Sequence, residues 1–159
     1  MSQQTRGQMI PVSNDLRLKV GSFGDIDGGM LAKAEAALQS LAERFDAWMQ
    51  DDLAKLDAAR ARITAAGYTA ETAENLFLPA LDLKGLGGTY GYPVVSQIAA
   101  SLCRLIDEPA TEVKAPLFLL DAHIDGIKAA VRGNIREADH PVAKSLLDEL
   151  DQRVKDYEK

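Results

Sequence analysis

From about residue 29 to the C-terminus, apolar residues recur three or four positions apart, and no two alternating runs follow one another as a strand pair would. That period is the signature of amphipathic helices. Leu38, Leu41, Phe45, Met49, Leu53, Leu56, Ala59 and Ile63 form one long stripe, with Asp27 as its N-cap and Gly67 as its stop. A second helix starts near Thr69 and runs into a glycine cluster, with Pro79 inside it as an expected kink. Pro93 opens a third, striped by Val95, Ile98, Leu102 and Leu105. A fourth follows Thr111 with Leu117, Leu120, Ile124, Ile127, Val131 and Ile135 in phase. His140-Pro141 opens a fifth, carrying Val142, Leu146, Leu150 and Val154. The spacing predicts helices over 32–62, 72–84, 95–105, 115–134 and 142–155. Short connections make sequential helices antiparallel neighbours. The fold class is therefore all-α, an up-down bundle.

Residues 1–28 break this pattern. They hold Pro11, Gly7, Gly21, Gly24 and Gly28 and no helical period, and LRLKV (Leu16 to Val20) alternates as a short extended segment. The expected organisation is an extended arm over 1–28 and a bundle over 29–159, within the size of one domain. A net charge of -6 and scattered Lys and Arg argue against a nucleic-acid partner. Cys103 is the sole cysteine, which excludes an intrachain disulfide and a cysteine-based zinc site. No apolar run approaches the ~18 residues of a membrane span. MSQQTRGQMIPVSND lacks the apolar core of a secretory signal, so the expected location is the cytoplasm. Trp48 and Met49 are expected in the core, and the acidic pairs Asp51-Asp52 and Asp148-Glu149 on solvated faces.

The second helix carries two apolar faces. At about 100° per residue, Leu76, Ala80, Leu83 and Gly87 share one side, the expected core face. Phe77, Leu81, Lys84 and Gly88 share another, with Gly85 beside them. A bundle helix needs one apolar stripe. The second is read either as burial all round or as an outward docking face, on which glycine admits a close backbone at a helix cost of about 1 kcal/mol relative to alanine. Gly85, Gly87, Gly88 and Gly91 match no phosphate-loop or dinucleotide fingerprint, and they follow a helix rather than a strand.

The stretch Asp82-Leu83-Lys84-Gly85, continuing through Gly87, Gly88, Tyr90, Gly91, Tyr92 and Pro93, resembles the histidine phosphotransfer (Hpt) domain of two-component phosphorelays, whose pattern is His-x-x-Lys-Gly on a bundle helix. ASLCRLID (Ala100 to Asp107) and AHIDGIKAAVR (Ala122 to Arg132) are similar to a bacterial subgroup of that family, and the resemblance covers about residues 28–157. It implies a four-helix core plus an additional helix, and a response-regulator receiver domain as partner, docked on Phe77, Leu81, Lys84, Gly85 and Gly88. It implies no cofactor. In the family the histidine takes the phosphoryl group, lysine balances its charge and glycine gives the receiver room. Here the acceptor position is Leu81, which has no lone pair to phosphorylate.

Neither histidine offers a replacement. His123 lies about 60° from Leu120 and is followed at three and four places by Gly126 and Ile127, so it reads as a structural, partly buried imidazole. His140, before Pro141, reads as a cap or surface residue. Asp121, His123 and Asp125 diverge by about 200° per step of two residues and cannot converge on a metal. Cys103 reads as a small buried hydrophobe. The expected function is a receiver-docking protein that cannot itself carry phosphate, and no catalytic residue is assigned. The alternatives are a helical scaffold or homodimer outside phosphorelay, and an active phosphotransfer protein using another acceptor or altered at Leu81. Exposure of Leu81 together with Lys84 favours the first; a covered patch favours the second.

Overall fold

The structure is a computed structural model and describes residues 28–107 and 115–159. These form an all-α helical bundle: α1 Gly28–Ala66, α2 Ala70–Leu86, α3 Pro93–Asp107, α4 Leu117–Arg132 and α5 Pro141–Tyr157. Among the described residues there is no strand. The Asp27 cap, the arm before Gly28, its LRLKV segment and the Thr111 helix start lie outside the described residues. The chain divides into two compact units, Met1–Ser40 and Leu41–Lys159. In the first, residues 28–40 are the opening turns of α1 and every one is exposed. The second holds the remainder of α1 and helices α2 to α5.

Each connection is made by local chemistry. Gly67 ends α1 at φ 83, a left-handed conformation that side chains resist. Two residues later Thr69 caps α2. Its hydroxyl accepts from the Thr72 N–H at 3.2 Å, and the Thr72 hydroxyl accepts from the Thr69 N–H at 2.8 Å. α2 runs unbroken through Pro79, which has no N–H to give the carbonyl one turn back. Gly91 at φ 87 turns the chain, and Pro93 starts α3. His140 caps α5 by accepting from the Val142 N–H at 3.2 Å. The expected fourth helix, 115–134, overshoots α4 by two residues at each end, because Pro116 is extended and Asn134 is left-handed at φ 51.

Within residues 41–159, α2 packs on α3, α3 on α4 and α5, and α4 on α5. α1 contributes Met49, Leu53, Leu56, Ala59 and Ile63 to their core. Ion pairs tie it down: Arg60 to Asp125 at 2.7 Å, and Lys128 to Asp57 at 2.7 Å. Arg136 joins its own segment to two distant ones. It pairs with Asp46 at 3.0 Å, donates to the Tyr90 carbonyl at 3.3 Å and lies 4.3 Å above the Tyr92 ring. This fastens the turn between α2 and α3.

Four expectations about the core need correction. Leu38 and Leu41 are exposed, and the buried part of the α1 stripe starts at Phe45. The reason is length: a 39-residue helix rises about 58 Å, whereas helices of 15 to 17 residues rise about 23–26 Å. Trp48 is 48% exposed although its neighbour Met49 is buried, since one residue turns the side chain by about 100°. Asp52 is only 5% exposed, because it lies three places after Met49 and four before Leu56, on the core side; Lys55 satisfies it at 2.9 Å. Leu117 and Val142 stand in the first turns of α4 and α5 and face outward.

Candidate functional site

α2 presents two distinct faces. Leu76, Ala80 and Leu83 are fully buried, and Gly87 is buried below them. On the other side Phe77 is half-buried against the core, Leu81 is 42% exposed, and Lys84, Gly85 and Gly88 are exposed. The five residues therefore share one outward surface, and burial all round does not describe this helix. Lys84 makes no ion pair with any described residue. Its charge faces solvent one turn after Leu81.

The glycines divide by what surrounds them. A Cβ at Gly87 would stand 2.8 Å from the Ser96 hydroxyl and 2.9 Å from the Ser96 amide nitrogen, so Gly87 lets the start of α3 close on the end of α2. A Cβ at Gly91 would meet the Arg136 guanidinium at 2.8 Å. At Gly85 a Cβ would meet nothing within 4 Å, and at Gly88 only the Ser96 hydroxyl at 3.8 Å. Gly88 donates its N–H to that hydroxyl at 2.8 Å. Nothing in the described fold demands glycine at 85. The missing side chain leaves room on the outward face alone.

Sequence reasoning missed one member of this surface. Leu78 is exposed as well, flanking Leu81 on the side away from Lys84. Leu78 lies about 60° around the helix from Leu81, a separation the face assignment could have included.

Both histidines are occupied elsewhere. His123 is 0% exposed. Its Nδ1 lies 2.7 Å from the Leu119 carbonyl, which can only accept, so Nδ1 carries the proton and Nε2 accepts from the Ser101 hydroxyl at 3.0 Å. Burial pushes the His123 pKa below its ordinary value, and Arg104 adds to this against the pull of the Leu119 carbonyl. His123 is thus a neutral core residue, out of reach of a docking protein. Asp121 and Asp125, its neighbours in sequence, turn instead to Arg60, at 4.0 and 2.7 Å. Cys103 is buried.

The arrangement offers docking chemistry: exposed Leu81 and Leu78, the Lys84 cation with no ion pair among the described residues, and Gly85 under open space. No described helix is long and apolar enough to cross a membrane. No family model, curated protein or solved structure compared with this chain matches it significantly.

Proposed function

We propose that the chain is an Hpt-like protein of a two-component phosphorelay, acting in the cytoplasm, which docks a response-regulator receiver domain through α2 and cannot carry phosphate itself. The observation that carries this reading is the joint exposure of Leu81 and Lys84 beside an unobstructed Gly85. Phosphoryl transfer depends mainly on positioning and charge balance. Here Lys84 and the glycines remain available for docking, while the acceptor position holds a hydrocarbon. Such a protein occupies the surface of a receiver and competes with an active phosphotransfer protein for it.

The test is titration of the isotope-labelled protein with isolated receiver domains from the same organism, followed by amide chemical shifts. A cognate receiver is expected to perturb residues 77, 81, 84, 85 and 88 first, and Lys84→Glu to weaken binding about three- to tenfold, the scale of one partly desolvated charge. If no receiver binds, or if binding maps to α4 or α5, the proposal fails.

A further inference from the structure

A second surface lies where α1 meets the end of α2. It is an open groove of about 500 Å³, walled by Phe45, Trp48 and Tyr90. The ring centroids are 5.7 Å apart for Phe45 and Trp48, 5.5 Å for Phe45 and Tyr90, and 6.2 Å for Trp48 and Tyr90, with tilts of 39° to 47°. Trp48 is half-exposed, Phe45 is partly buried and Tyr90 is buried behind them, so a cation over the open side of this cluster meets the Trp48 and Phe45 rings within the roughly 6 Å at which aromatic faces attract positive charge.

The remaining wall is acidic. Asp51, Asp52 and Asp82 line the same groove against one lysine, Lys55. The Lys55 ammonium is turned onto Asp51 at 3.1 Å and Asp52 at 2.9 Å. Asp82 has no ion-pair partner among the described residues. The groove therefore carries negative charge in excess. Burial raises the pKa of the Tyr90 hydroxyl above the ordinary phenol value, and Asp52 and Asp82 add to this against the opposing pull of Lys55. Leu86 supplies an apolar floor beside the rings.

We infer that this groove receives an arginine side chain from a partner protein. Charge complementarity asks for a cation. The aromatic faces favour a planar guanidinium, which stacks where an ammonium does not, and Asp82 can accept from its fork of N–H donors. Leu86 matches the aliphatic stem that an arginine brings and a bare small cation lacks. The half-exposed Trp48 leaves the mouth open to a group presented from outside. This inference stands whether or not the partner is a receiver domain.

The chain has a single tryptophan, so its fluorescence reports on this groove directly. The full chain is titrated at low salt with acetyl-Gly-Arg-Gly-amide, with the same peptide carrying citrulline, and with tetramethylammonium. Saturable quenching by the arginine peptide is expected, with a Kd on the order of 1 mM. The uncharged citrulline peptide should give no saturation. Asp82→Asn, a surface change, should melt as the parent does and bind about fivefold more weakly, as expected when one opposite charge is removed from a partly desolvated site. Equal quenching by arginine and citrulline peptides, unaltered affinity in Asp82→Asn, or absence of saturation overturns the proposal. Tetramethylammonium binding as tightly as the arginine peptide overturns the side-chain assignment in favour of a free small cation.

Discussion

Replacing Leu81 by histidine examines the α2 face from two sides at once. With 42% of Leu81 exposed, roughly three-fifths of its surface is covered. Full burial of a leucine side chain contributes about 1.5–3 kcal/mol, so the covered part is worth about 1–2 kcal/mol. An imidazole of similar reach keeps some of that contact, and the expected loss is about 1 kcal/mol or less. For a chain of this length that lowers the Tm by about 2–4 °C. A leucine in the core, such as Leu76 or Leu83, would instead cost about 2–5 kcal/mol. The new imidazole would stand one turn before Lys84 and Gly85, with the lysine able to balance incoming phosphoryl charge. The assay pairs a calorimetric melt with transfer from a receiver charged by labelled acetyl phosphate. Expected is an acid-labile, base-stable phosphate on Leu81→His and none on the parent. A Tm drop beyond about 8 °C would place position 81 in the core and remove the docking face. A stable variant that binds its receiver yet takes no phosphate would show that more than the acceptor group is missing.

Two further outcomes follow from the same geometry. Gly85→Ala should stabilise the protein by about 0.5–1 kcal/mol, since its Cβ meets open space within a helix, whereas Gly87→Ala should destabilise it by about 1–3 kcal/mol because the Leu83 carbonyl and Ser96 stand in the way. Urea unfolding of both variants decides this, and a destabilised Gly85→Ala would mean that the outward face is already occupied. His123 sets a pH dependence: its folded pKa is below the ordinary value, so the unfolded chain binds the proton more readily. Its contribution is full above about pH 6.5 and is lost as pH falls towards the folded pKa. His123→Gln should flatten that part of the stability profile between about pH 7 and 5.5, and an identical slope in parent and variant would contradict the buried neutral imidazole.

What could be read in the sequence was whatever depends on angle around a single helix. Leu76, Ala80 and Leu83 fall together, and Leu81, Lys84 and Gly88 fall on a second face roughly 100° away, by rotation alone; the exposure of each matches. What could not be read depends on a second element. Gly85 and Gly87 are the same residue type two places apart, and it is the approach of Ser96, together with the Leu83 carbonyl, that crowds only the second. The Arg136 clasp joins residue 46 to residues 90 and 92, both far from 136 in the chain, and carries no local signature. Asp52 was hidden by its own chemistry: its place in the α1 period marked it as inward, but an acidic pair suggests solvent. Leu38 shows the converse, since an apolar period records which side would be buried and is silent on how long the covering helix is.

The bond between Ser101 and His123 governs alignment as well as charge. The core of α3 and α4 is otherwise largely aliphatic, with Ile98, Leu102, Leu120, Ile124 and Ile127 buried in it. Hydrocarbon surfaces of this kind tolerate sliding, and a shift of one helical turn, about 5.4 Å, sets branched side chains against branched side chains again. The imidazole does not tolerate it. Nε2 has one hydroxyl within reach, and a slid helix strands a buried acceptor at a cost of about 1–3 kcal/mol. A single polar pair thus selects one registry among several that grease alone would accept, and with it the height at which α3, and the α2 face attached to it by a six-residue turn, meets the rest of the bundle.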